Sequence, residues 1–266
     1  SFLEFPSSAK CGPSRNLASF PPDLRLTEPR LSYLPTEPET QSKLPTAMKS
    51  LFFAALALPT LSLLAQEPED WTPFFEGKSF EDFYFTFLEE TDPKEVFEFT
   101  ENSGLLITGK DKSVGFIQTL DEYSDYELQF QWRWPDKPGN SGIQLHSSTF
   151  PAFSIWPESI EVQLEEGNVG DFWLLNNKLE VEEERIPKKA AERNRRLRIA
   201  DKEKKAGEWN DMRILAKGDT IKVFLNGELV NEGTNASATS GYITIQVEES
   251  NIEFRDFRIR QLGEEE

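Results

Sequence analysis

The sequence predicts an all-β chain folded as a jelly-roll β-sandwich, on three observations. From about residue 71 onward, short runs alternate apolar and polar residues, which is the period of a strand with one buried and one wet face. Clusters of Gly, Pro, Asn and Asp punctuate those runs at regular intervals, as chain reversals require. No stretch carries the i, i+3, i+4 apolar spacing of a long amphipathic helix. Many short strands with turns between them and no helices argue a sandwich. A domain of about 200 residues is large for an immunoglobulin-type fold, and a jelly roll with a ligand-facing sheet fits better.

Taken in order, residues 1–47 are rich in Pro, Ser and Leu and show no sustained period. They are expected to be an over-extended start or a disordered extension. Met48 opens a stretch with one Lys, an apolar run from Leu51 to Leu64, and then Ala65-Gln66. That is the layout of a secretory signal peptide over 48–65, cleaved after Ala65. The run is short for a membrane span and no basic stop follows it. The expectation is an exported protein, periplasmic or secreted, whose domain occupies 66–266 and keeps no membrane span once the signal is removed. Cys11 is the single Cys, so disulfides play no part in the fold.

Trp71 to Phe87 is an aromatic lead-in with a Gly-Lys turn at its middle. Val96 to Phe99, Leu105 to Thr108 and Gly115 to Thr119 read as strands parted by Asn-Ser-Gly and Lys-Asp-Lys turns. Asp125 to Trp134 alternates strictly, with Tyr126, Leu128, Phe130, Trp132 and Trp134 on one face and Glu127, Gln129, Gln131 and Arg133 on the other. Gly142 to Ser148 places Ile143 and Leu145 inward, Gln144 and His146 outward. Ser159 to Glu165 repeats this with Ile160, Val162 and Leu164 inward, Glu161, Gln163 and Glu165 outward. Asp171 to Leu175 is another strand. From Lys178 to Lys205 the alternation fails, and this charged segment is expected to be a long loop with little share in the core. Strands return at Trp209 to Ala216, Thr220 to Leu225 and Glu228 to Asn231, the last two joined by Asn226-Gly227, a strong hairpin signal. Gly241 to Val247 and Ile252 to Leu262 complete the domain.

The formal net charge of −18 disfavours nucleic acid and anionic membranes as partners, and a neutral ligand such as a sugar is compatible with it. The basic run Arg193 to Arg198 lies among acidic residues and reads as a solvated loop rather than a nucleic-acid contact. If the strands over 125–134, 142–148 and 159–165 share a sheet, their outward faces pool Arg133, Gln144, His146, Glu161 and Gln163 on one polar surface. That surface is the candidate site. Each member also has a plainer reading: His146 as a hydrogen-bonded surface histidine, Glu161 as a solvated carboxylate, Trp156 and Trp173 as core residues.

Six stretches in this order, GNSGIQLH, WPESIEVQL, GNVGDFWLL, AGEWN, LNGELVNEGTNAS and IEFRDFRIRQL, resemble the 3-keto-disaccharide hydrolase family. That family is also described as a 3-keto-glucoside lyase and 3-keto-2-hydroxyglucal hydratase domain. The resemblance covers about Trp71 to Leu262. It implies a concanavalin A-like jelly roll and a carbohydrate substrate, and His146, Glu161, Gln163, Asp171, Trp173, Glu208, Trp209 and Gln246 occupy positions of its motifs.

A ketone at C3 of a sugar acidifies the hydrogen on C2, so a base can form the enolate and the C1 substituent can leave; water then adds to the enone. This needs a base titrating near the working pH, something electropositive beside the enolate, and a donor for the leaving oxygen. His146 titrates in the right range, and partial burial could bring Glu161 to it. Arg133, or a divalent cation held by His146 and Glu161, would stabilise the enolate. Gln144, Gln163, Asp171 and Gln246 would position hydroxyls, while Trp156 and Trp173 would offer flat faces to the sugar rings. The competing expectations are a non-catalytic carbohydrate-binding module and an ordinary glycosidase with two opposed carboxylates.

Overall fold

The computed structural model describes residues 70–248 and 250–263, so the expected signal peptide and the segment before it lie outside the described residues. The chain starts with β1 (Thr72–Pro73), β2 (Phe83–Phe87), β3 (Phe97–Thr100), β4 (Gly104–Thr108), β5 (Gly115–Thr119) and β6 (Tyr123–Ser124). It continues with β7 (Tyr126–Arg133), β8 (Gly142–Ser147), β9 (Pro151–Phe153), β10 (Trp156–Pro157), β11 (Ser159–Gln163) and β12 (Phe172–Leu175). The last third holds β13 (Arg195–Arg196), β14 (Asn210–Lys217), β15 (Thr220–Leu225), β16 (Glu228–Gly233), β17 (Ser240–Val247) and β18 (Asn251–Gln261). The helical turns among the described residues are single 3-10 turns.

Two antiparallel sheets form the sandwich. The front sheet runs β13-β12-β11-β8-β17-β5-β2, and the back sheet β16-β15-β14-β7-β18-β4-β3. The fold is the expected jelly roll. Hydrophobic alternation decides which face each strand turns inward. Tyr126, Leu128, Phe130, Trp132 and Trp134 of the back sheet are fully buried, and so are Ile143, Leu145, Ile160 and Val162 of the front sheet. Phe130 stacks on Phe257 with ring centroids 4.4 Å apart, and Trp132 meets Trp134 edge-on at 5.6 Å. Each such large side chain contributes roughly 1.5–3 kcal/mol by leaving water.

Two expectations need correction here. The outer face of the back sheet is less wet than alternation implied. Glu127 is buried because Arg213 and Arg260 both pair with its carboxylate, while Arg133 and Arg255 both lie over the Trp209 ring, 4.6 and 4.0 Å from its centroid. The charged segment 178–205 is also no bare loop. Leu179 enters the core, β13 extends the front sheet through Phe172 and Trp173, and Arg185 donates to Asn231 Oδ1 and to the Glu232 carbonyl. Alternation could not reveal this segment because polar side chains, rather than an apolar face, hold it down.

Candidate functional site

Cross-strand register builds the site. In the front sheet, Trp173 stands opposite Glu161, Glu161 opposite Gln144, Gln144 opposite Thr244, and Thr244 opposite Gln118. Since the residues flanking this row are core, the row itself faces away from the core. The neighbouring row places Gln163 opposite Gly142 and Gln246 opposite Phe116. Over these rows opens a cleft of about 930 Å³. Glu161, Gln163 and Gln246 form its floor, Trp156 and Trp173 line it, and Glu165, Glu248 and Asn140 stand at one side.

Gly142 is what lets the floor close. A Cβ there would strike the Glu161 carboxylate and lie 2.9 Å from Gln246 Oε1, so the two side chains meet across the bare backbone. Glu161 is only 5% exposed. Burial, reinforced by the charges of Glu248 and Glu165, pushes its pKa up to about 8 against the opposing pull of the Gln246 side chain. Such a carboxyl can give or take a proton near neutrality. Several buried polar atoms around it have no partner within the protein: Trp173 Nε1, Gln246 Oε1, Asn140 Oδ1 and both amide atoms of Gln144. Unpaired buried groups each cost about 1–3 kcal/mol, and those on Asn140, Trp173 and Gln246 belong to residues that line the cleft.

The residues predicted from sequence divide accordingly. Glu161, Gln163, Gln246, Trp156 and Trp173 share the cleft. Gln144 lies in the same row but is wholly buried beneath it. Trp156 packs against Phe116 at 6.1 Å between ring centroids, and Arg195 lies 6.0 Å from the Trp173 ring.

Arg133 does not join them. It sits on β7 in the back sheet, paired with Glu253 at 2.6 Å, because the chain crosses to the other sheet between β7 and β8. His146 is turned away as well. The β8–β17 register shifts between Tyr242 and Thr244, and His146 takes φ +51° in that bulge. Bulges re-aim side chains in this way. Its ring meets Tyr126 edge-on at 5.7 Å, and its Nδ1 lies 2.8 Å from the Ala238 carbonyl oxygen. Gly241 opposite permits the bulge, since a Cβ there would press on the His146 backbone. Burial holds the His146 pKa below its ordinary value. His146 and Glu161 therefore do not form the metal pair expected from sequence. Among the described residues no group of three or more His, Cys, Asp or Glu side chains could hold a metal ion.

Asp171 is a structural anchor rather than a hydroxyl ligand. Fully buried, it accepts from Arg195 Nε at 2.5 Å and from the Arg198 backbone N–H at 2.7 Å, tying 178–205 to the front sheet. That segment supplies part of the cleft that sequence reasoning missed: Lys178, Arg193 and Asn194. Phe153 on the β9–β10 hairpin and Glu248 were missed too. Glu248 was within reach, being two residues beyond Gln246 on the same alternation. Nothing periodic marks Arg193.

Residues 70–260 match the family model described as the 3-keto-alpha-glucoside-1,2-lyase-like domain. The chain belongs to this family. Among solved structures, one similar protein from Parabacteroides distasonis, provisionally classed as a glycosyl hydrolase, is 28% identical with a TM-score of 0.51, covering 73% of this chain and 100% of that one. A second protein from the same organism and so classed is 20% identical, with a TM-score of 0.52 and coverage of 73% and 95%. The VIP36 exoplasmic/lumenal domain, in a form bound to Ca2+ and Man3GlcNAc, shares the fold at 8% identity and a TM-score of 0.50, covering 75% and 91%. A search of curated proteins gave no match. The 3-keto-alpha-glucoside-1,2-lyase-like domain and the 28%-identical neighbour support a carbohydrate-related function for the chain.

Proposed function

We propose that this protein cleaves the glycosidic bond of 3-keto-glycosides by elimination across C1 and C2 followed by hydration, with Glu161 moving the proton. The observation that carries this is the buried Glu161 carboxyl on the cleft floor, its pKa raised to about 8 by burial and by Glu248 and Glu165. A sugar-binding surface gains nothing from desolvating a carboxylate in this way, whereas proton abstraction beside a carbonyl needs such a group. The family supports the substrate class.

In this scheme ionised Glu161 removes the C2 hydrogen and the electron pair moves into the C3 carbonyl as an enolate. Trp173 and Gln163 line the same cleft, and the Gln163 amide can donate to that oxygen; Gln163 Oε1 is already occupied by the Leu164 N–H at 2.9 Å, which leaves its NH2 for a ligand. The enolate then expels the C1 oxygen, which takes the proton from Glu161. The enone so formed accepts water at C1, its proton going to C2. With a pKa of about 8, about a tenth of Glu161 is ionised at pH 7, so turnover should rise with pH until about 8.

The test compares a 3-keto-glycoside with its parent glycoside, using wild type and Glu161→Gln. The expected result is turnover of the keto compound alone, lowered by roughly 10²–10⁴ in the variant, with binding retained. Turnover of the parent glycoside would point instead to an ordinary glycosidase. Binding of both sugars with turnover of neither would favour a carbohydrate-binding module, a reading that the flat faces of Trp156 and Trp173 in the cleft also accommodate.

A further inference from the structure

We infer that the part of the substrate lying past Trp173 carries a negative charge: the aglycone of the glycoside is acidic, and Arg193 and Lys178 at the lip of the cleft receive it. This rests on the reading of the cleft as a glycoside site. The protein carries a formal net charge of −18, and its other described arginines are engaged by carboxylates, carbonyls, amides or rings. Arg185, Arg195, Arg196 and Arg198 of the same segment all hold structure together. Arg193 is the exception among the described residues: it is exposed, lines the cleft, and its guanidinium has no partner. Lys178 is likewise exposed on the cleft with its ammonium unpaired. A protein this acidic has carboxylates to spare for both.

The placement of these cations relative to Glu161 gives the inference its direction. β12 lies beyond Glu161 through the Trp173 pairing, and β13 lies beyond β12. Residues 191–194 lead directly into β13, so Arg193 lies on the Trp173 side of Glu161. On the other side the Trp156 ring lies over Phe116 of β5, and Phe153 stands with it. Burial keeps Glu161 mostly protonated, and the Glu165 and Glu248 carboxylates at the side of the floor would repel an anion placed there. The cleft thus sorts its ligand: a neutral sugar fits against Glu161 and the aromatic wall, and an anionic group fits only at the Arg193–Lys178 lip. Paired charges on such a rim steer association and set specificity more than they add affinity.

The experiment uses an isosteric pair of phenyl 3-keto-glucosides carrying a carboxymethyl or a carbamoylmethyl group at the meta position, in both anomers, with the corresponding parent glucosides as binding probes. A methylene insulates the leaving oxygen, so the pair differs in charge and hardly in reactivity. Wild type should bind the acid roughly 5–20-fold more tightly than the amide at low ionic strength, with the preference shrinking as salt rises. Arg193→Gln and Lys178→Gln should each shrink that preference, whereas Lys110→Gln, an exposed lysine away from the cleft, should keep it. Equal affinity for acid and amide, a preference for the amide, or no measurable binding of either would overturn the acidic-aglycone inference. Turnover of both keto compounds with no charge preference would overturn it while leaving the elimination reading intact. Tighter binding of the acid without turnover of any keto compound would do the reverse.

Discussion

Two residues with the same expected role, His146 and Glu161, end in opposite situations, and the difference lies in one residue of backbone. On a regular β8, His146 would follow Gln144 onto the cleft face. The bulge against Tyr242–Thr244 inserts a residue and gives His146 a positive φ, so its ring meets Tyr126 instead. Glu161, on an unbroken register with Gln144 and Trp173, keeps its place. His146 is then a packing residue whose removal costs stability rather than chemistry. His146→Ala should lose roughly 1–3 kcal/mol, read as a lowered urea midpoint at unchanged slope. The folded variant should keep turnover within about tenfold of wild type, well short of the loss expected for a general base. A loss as large as that of Glu161→Gln, without a stability change, would return His146 to the chemistry.

At the scale of elements, strands announced themselves in the sequence and their partners did not. Tyr126 to Trp134 declared its buried face by strict alternation, and Asn226-Gly227 declared the β15–β16 hairpin, because each signal is local. Which sheet a strand joins is decided by pairing with distant strands, and so Arg133 was assigned to the wrong side of the sandwich. The floor residues Glu161, Gln163 and Gln246 were legible as outward members of alternating runs, whereas Arg193 and Lys178 were not, since their segment is fixed by ion pairs that follow no period. Asp171 is the key to that segment: with no exposure of its own, it holds Arg195 and the Arg198 backbone. Asp171→Ala should strip Arg195 of its buried carboxylate and leave it Asn168 and the more distant Glu192, cost about 3–5 kcal/mol, and make 178–205 the first site of limited proteolysis. Affinity for sugar should fall too, because Lys178, Arg193 and Asn194 leave the cleft with the segment. Unchanged protease sensitivity would show that Leu179 and the Arg185 contacts suffice without the anchor.

For the whole molecule, two of the buried titratable groups, Glu161 and His146, set opposite slopes of stability against pH. Glu161 has a folded pKa near 8 against 4.5 for the ordinary carboxyl, so between those values the folded state holds a proton that the unfolded state has released. Stability therefore declines as pH rises through that window, by roughly 3 kcal/mol between pH 4.5 and 7. His146 is depressed below its ordinary 6.5 by burial, so on acidification the unfolded chain takes up a proton first. Its contribution is complete above pH 6.5 and declines as pH falls toward the folded value. Below pH 6.5 the two slopes oppose each other; from 6.5 to about 8 Glu161 acts without His146, and the formal charge of −18 adds self-repulsion in the same direction. Urea unfolding of the wild type should show a shallow plateau on the acid side of pH 6.5 and a decline of about one proton's slope from there to pH 8. Glu161→Gln should remove that decline and be more stable than wild type at pH 8 while its turnover falls, the usual trade between a strained site and stability. If the variant keeps the wild-type slope between pH 6.5 and 8, Glu161 is ionised in the folded protein at neutral pH, and the proton-holding role assigned to it is wrong.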